Sequence, residues 1–319
     1  MTHADLPDNW DEELTALGGT VLQSSAWAAF QTALDRKVIW DRGDGWCWLA
    51  IVRKSRGGSY LDVPWGPTLD NKEASLSQAI QSLAEAARTQ KVDFVRVEPT
   101  GAAQPDMAKS LGLIKVTSVQ PEFPWVLDLT QLEQALRRGL TSGHRSAING
   151  AERRGLSFRL AGAGEIESFL NLMHQTASRQ KFAAHPDNYY QTMLKVMEPL
   201  GAAKLYLAEA QQQVVAAAIV FDFGGVRYYA HAGADQVKNR QLQASAPLVW
   251  RMITDCKAAG GHEFNFWGVT TSSDPKDAWA GFTKFKTAFG GSVRPRIGTW
   301  ELPLSMYKYR LLQLARKVL

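Results

Sequence analysis

The stretch from Lys204 to Ala234, KLYLAEAQQQVVAAAIVFDFGGVRYYAHAGA, limits the fold more than any other. Three apolar runs are separated by QQQ and by Gly-Gly, the pattern of strand, polar turn, strand, tight turn, strand. QASAPLVWRMITDCKAAGG then reads as a helix with a glycine stop, and FNFWG as a short strand. The first half has the same order. GWCWLAIVRKSRGGSYLDVPWGP is strand, Gly-rich turn, strand. KEASLSQAIQSLAEAARTQKVD places Leu76, Ile80, Leu83 and Ala87 at helical spacing, and FVRVEP is a strand stopped by Pro99. Met107 to Leu113 reads as a short helix, and TQLEQALRRGL as another with an N-cap-like start after Asp128. A meander, a helix and a strand, met twice in 319 residues, predict two α/β units of about 130–170 residues each.

Hydrophobic residues at 45% and charged residues at 21% suit a globular protein with a sizeable core. Cys47 and Cys256 are far apart, which argues against a disulfide framework. His144, His174, His185, His231 and His262 form no metal-binding spacing, so no metal is expected. The polar opening MTHADLPDNW is no signal peptide, and the longest apolar run, VVAAAIVF, is too short to span a bilayer; a cytoplasmic protein is expected. The net charge of +5 gathers between Arg137 and Arg159 and again from Lys284 onward, where Glu301 is the only acid. Such segments suit phosphates, nucleic acid or a membrane surface. In LSMYKYRLLQLARKVL, Leu304, Tyr307, Leu311 and Val318 fall near one helical face among Lys308, Arg310, Arg316 and Lys317. That face suits anionic lipid or packing on the first domain.

The element order resembles the GNAT acyltransferase fold, duplicated. The fold class expected is α/β (α+β): two GNAT-like domains, each a mixed, mostly antiparallel sheet flanked by helices. The first spans 1–137 and the second 138–301, with 302–319 able to pack back on the first. The loops matching the GNAT coenzyme A signature, WGPTLDNKEAS and GADQVKNRQLQAS, lack its glycine pattern. The phosphate cradle that such a loop builds at a helix N-terminus is therefore not expected.

One further segment decides the resemblance. On a helix, GFTKFKTAFGG places Phe282, Phe285 and Phe289 on one stripe, with Lys286 beside it and Lys284 opposite. It resembles the closing signature of the FemABX family of aminoacyl-tRNA-dependent peptidoglycan aminoacyltransferases. In order along the chain, LQSSAWAAFQ, VPWGP, FVRVEP, RSAINGAERRGL, ASRQKF and FNFWGV resemble the family's other motifs. Trp65 stands where the family has Arg, and Glu98 and Asn265 where it has Asp. The likeness covers almost the whole chain and is to the shorter members without a coiled-coil arm.

The resemblance implies transfer of an amino acid from charged tRNA to the side-chain amine of a muropeptide precursor, UDP-linked or lipid-linked. Ester to amide is downhill, so no cofactor is implied. A monomer is expected, with peripheral contact at the inner face of the membrane. Carried over by motif, Lys286 meets the oxyanion or the terminal adenosine, Phe285 shapes that site, and Glu98 is a candidate general base. Arg179 and one of Tyr228 or Tyr229 are candidate contacts for the acceptor's phosphates, with Gln31 on a second side and Trp267 and Gly268 at the floor. Two other readings stand beside this one: a GNAT-like N-acyltransferase with a different donor and acceptor, and a non-catalytic protein that binds a cell-wall precursor or RNA.

Overall fold

The computed structural model describes residues 5–55, 58–70, 72–101, 103–274 and 276–318, without the side chains of Glu73 and 315–318. The SRGG turn falls partly on Arg56 and Gly57, outside the described residues, as do the side chains of Arg316, Lys317 and Val318. The chain forms two compact units, 1–122 with 296–319, and 123–295.

The first unit carries α1 (Trp10–Ala16), α2 (Ser25–Ala33), β1 (Val38–Gly43), β2 (Trp46–Ser55), β3 (Gly58–Val63), β4 (Thr68–Leu69), α3 (Glu73–Gln90), β5 (Phe94–Val97), α4 (Pro105–Ser110) and β6 (Ile114–Lys115). The second carries β7 (Pro124–Asp128), α5 (Glu133–Gly139), α6 (Ser142–Asn149), β8 (Ser157–Ala161), α7 (Ile166–Gln180), α8 (Asp187–Met197), β9 (Ala203–Ala210), β10 (Gln213–Phe223), β11 (Val226–Ala234), α9 (Gln236–Leu242), α10 (Ser245–Ala258), β12 (Glu263–Gly268), α11 (Ala280–Thr287) and β13 (Ser292–Val293). The chain then returns to the first unit as β14 (Trp300–Pro303) and α12 (Met306–Val318).

In the first unit the sheet order is β1-β2-β3-β5-β14-β6. β1, β2 and β3 form an antiparallel meander, and β3 meets β5 in parallel after the α3 crossover. Leu76, Ile80, Leu83 and Ala87 of α3 are buried on this sheet, the face their spacing predicts. The LQSSAW segment has a structural use. Gln23 Oε1 accepts from Leu49 N at 2.7 Å, and its Nε2 donates to Leu49 O and Pro64 O, tying the 64–66 turn to β2. Ser24 Oγ caps α2 by accepting from Trp27 N.

In the second unit the order is β13-β7-β12-β11-β10-β9-β8. The Lys204–Ala234 meander forms as read, and β11 meets β12 in parallel after α10. The units divide at 122/123 and 295/296 rather than at 137/138 and 301/302. The reason is pairing: β7 bonds to β12 and β13, which draws 123–137 into the second unit, and β14 bonds to β5 and β6 of the first. After Asp128 the chain makes a turn, with Oδ1 accepting from Thr130 N and Oγ1, and the helix begins later, at Glu133. Leu304 precedes α12 and packs on the first unit's core, so it is not on the helical face.

Candidate active site

β11 and β12 pair only from Val226–Tyr228 against Glu263–Asn265, and then part. β11 runs on to Ala234 bonded to β10. A cavity of about 1270 Å³ opens beside this bare strand edge, wholly within the second unit. Its walls are Tyr229–Ala234 of β11, Arg179–His185 after and at the end of α7, Trp267 of β12, the α9–α10 junction, the start of α6, and α11 with the residues before it.

Two backbone irregularities shape the opening. In β11 the register slips by one residue at Ala230, so Tyr229 faces Val220 and His231 faces Ile219. Those partners are adjacent in β10, so Tyr229 and His231 lie on opposite sheet faces, where simple alternation would have put them on one. Both still reach the cavity, because it wraps round the strand edge. In β12 a second slip falls between Asn265 and Gly268. Trp267 sits there at φ +64°, a left-handed conformation costly for a large side chain. The buried Asn265 holds it, with Oδ1 accepting from Trp267 N at 2.9 Å.

This bulge presents the Gly268 carbonyl to α11, where Lys286 Nζ donates to it at 2.7 Å. Lys286 is 8% exposed and lines the cavity, its Nζ 5.8 Å from the Trp279 ring centroid. No carboxylate among the described residues pairs with it. Burial pulls its pKa down to about 8, so it remains largely a cation at neutral pH. One of its three N–H bonds is committed to Gly268, which leaves donors for a ligand. Phe285 packs beside His144 and Phe289, with ring centroids at 5.2 and 5.5 Å, and the exposed Phe282 also lines the cavity. Lys284 is exposed on the other side of the helix.

Of the residues singled out by sequence, Arg179, Tyr229, Trp267, Phe285 and Lys286 line this one cavity. Tyr228 is buried against Trp267 and lines no part of it, and Gly268 acts through its carbonyl. Glu98 and Gln31 belong to the first unit. Gln31 is fully buried in α2, its Oε1 accepting from Arg36 at 2.6 Å. Glu98 accepts three hydrogen bonds, from Trp65 N at 3.0 Å, Gln120 N at 2.8 Å and Thr299 Oγ1 at 2.6 Å. Burial raises its pKa against the pull of these donors.

Sequence reasoning missed several wall residues. Lys181 and Arg240 add two cations, so the wall carries Arg179, Lys181, Arg240 and Lys286 against Asp277 alone. Asp277 is engaged locally, accepting from Trp279 N and Thr270 Oγ1. His231 also lines the cavity, and neither ring nitrogen has a hydrogen-bond partner among the described residues. Burial, then the neighbouring His185, lowers its pKa to about 3, so it stays neutral. These side chains come from separate elements, and no spacing in the sequence links them.

The FemAB family model matches residues 110–213 and 195–317, well over half of the chain. The chain belongs to the FemAB family. Aminoacyltransferase FemB of Staphylococcus epidermidis is 22% identical over 255 residues, 61% of this chain and 61% of FemB. The chain thus spans about three-fifths of the length of that relative. Lipid II:glycine glycyltransferase of Staphylococcus saprophyticus is 20% identical over 158 residues, 46% of this chain and 38% of its own. Among solved structures, FemX superposes with a TM-score of 0.83 at 15% identity, covering 94% of this chain and 98% of FemX. A tandem GNAT protein from the clavulanic acid biosynthesis pathway superposes at 0.52 with 11% identity, covering 82% and 79%. These likenesses give this FemAB chain a duplicated GNAT-like fold. No helix among the described residues is long and apolar enough to cross a membrane.

Proposed function

We propose that this chain, acting as a monomer, moves an aminoacyl group from the 3′ end of a charged tRNA to the side-chain amine of a muropeptide precursor. The observation that carries the reading is Lys286, a desolvated ammonium without a carboxylate partner on the wall of an electropositive cavity. The C–O bond of the ester breaks, the C–N bond of the amide forms, the amine loses a proton and the ribose hydroxyl gains one. The Lys286 ammonium donates to the oxyanion of the tetrahedral intermediate. In a water-poor site that interaction is worth far more than in solvent. Arg179, Lys181 and Arg240 meet substrate phosphates, those of the acceptor and those of the tRNA terminus. Tyr229, Trp267 and Phe285 offer ring faces to its unstacked bases.

An acyl-coenzyme A donor fits less well. At the α10 N-terminus, where a GNAT pyrophosphate cradle would stand, Ser245 N already donates to Asn239 Oδ1 at 2.9 Å. Pro247, in the same first turn, has no N–H to give. The name of the FemB relative supports aminoacyl transfer, and that of the lipid II:glycine glycyltransferase relative supports a lipid-linked acceptor.

The test is incubation with a mixed pool of charged tRNAs and either a lipid-linked or a UDP-linked muropeptide, followed by mass spectrometry. The expected product is heavier by one amino acid residue, and the arm that gains mass identifies the acceptor. A gain with acyl-coenzyme A alone would overturn the donor. Lys286→Ala is expected to remain folded and lose transfer by about a hundredfold or more. Normal transfer by that variant would overturn the role given to Lys286.

A further inference from the structure

α12 is apolar on two opposite faces. Its inner face is fixed: Tyr309 is 4% exposed, and its Oη donates to the buried Glu301 at 2.6 Å. Gln313 Nε2 reaches the same carboxylate at 3.4 Å, and Leu312 lies so close to Gly58 that a Cβ there would come within 2.8 Å of Leu312 Cδ1. Tyr307, Leu311 and Leu314 follow at i, i+4 and i+7, the spacing of a single stripe, and Tyr307 is about 200° round the helix from Tyr309. They are 75%, 50% and 62% exposed. A helix docked on its own protein normally turns a polar face outward, so this stripe calls for an apolar medium. Lys308 and Arg310 are exposed beside it, and the segment from Leu304 to Leu319 contains no acidic residue.

We propose that α12 is a membrane-surface helix that seats the first unit on an anionic lipid bilayer. The stripe enters the boundary between head groups and acyl chains, and the flanking cations meet the lipid phosphates. Three apolar side chains are a small area, so binding needs both contributions and is reversible. An RNA partner would use the cations and leave the stripe in water. The inference rests on α12 alone and not on the transfer reading.

Co-sedimentation of the full chain with vesicles tests it. Binding is expected to vesicles rich in phosphatidylglycerol, to weaken as salt rises, and to be slight on pure phosphatidylcholine. Leu311→Gln with Leu314→Gln should cut vesicle affinity about tenfold or more without moving the melting temperature, since both side chains are exposed. Lys308→Gln with Arg310→Gln should remove much of the salt dependence. Undiminished binding by the leucine variant overturns the proposal. So does a parent chain that ignores anionic vesicles, or one that loses self-association instead of vesicle binding when the leucines are changed.

Discussion

Burying Lys286 costs stability. Its pKa in the folded chain is about 8, against an ordinary 10.5. Between those values the folded state binds fewer protons than the unfolded one, so stability rises with pH across that window. Below pH 8 the cost is fully present, at up to about 3 kcal/mol. Lys286→Met is therefore expected to be more stable than the parent at pH 7 by about 1–3 kcal/mol, toward the lower end because the Gly268 carbonyl loses its donor. Thermal melts at pH 7 and pH 10 check this. The gap should narrow at pH 10, and a methionine variant that melts below the parent at pH 7 would refute the account. Asn265 fits the same picture. Its Oδ1 accepts from Trp267 N at the bulge, a contact that an aspartate carboxylate at this position could make equally.

At the scale of elements, the cavity depends on how closely α7 approaches β11. A Cβ on Gly233 would fall 2.6–2.8 Å from Leu172 C, Met173 N and Leu172 O, backbone atoms with no room to yield. Next to it, Thr176 Oγ1 accepts from Ala234 N at 3.1 Å. Gly233→Ala should push α7 outward, lower stability in urea melts by about 2 kcal/mol, and weaken binding at the cavity mouth. Much of this layer was legible in the sequence. The Lys204–Ala234 meander, the helix after it and the FNFWG strand follow from apolar runs punctuated by polar and glycine turns. β1 was not read, because VIWDRG is half polar and looks like a loop. The bulges at Ala230 and Trp267 leave no signature, since each is one extra residue in an otherwise ordinary strand. For the same reason the site was half legible: a lysine beside a phenylalanine stripe is visible from spacing, whereas Lys181, Arg240 and His231 reach the cavity only through folding.

At the scale of the molecule, the first unit is built from both ends of the chain. β14 lies between β5 and β6, pairing Glu301 with Arg96 and Trp300 with Val97 and Lys115. Arg96 donates to the buried Glu301 at 2.6 Å and covers the Tyr60 ring, its guanidinium carbon 4.6 Å from the centroid. Truncation after Pro295 would strip β6 of its partner β14, leave Arg96 half-buried without its carboxylate, and bare the β5 edge. The truncated chain is expected to show rapid proteolysis within 1–122 while fragments of 123–295 persist; equal protection of both would refute this. The same nesting also fixes a schedule. The segment that completes the first sheet is synthesised only after all of 123–295, so the unit begun first is the one finished last. On the ribosome, the cavity-bearing unit can close while β5 still waits for its partner. A nascent chain of this protein thus passes through a stage with an unclaimed strand edge, which is where a chaperone or an unwanted neighbour would act.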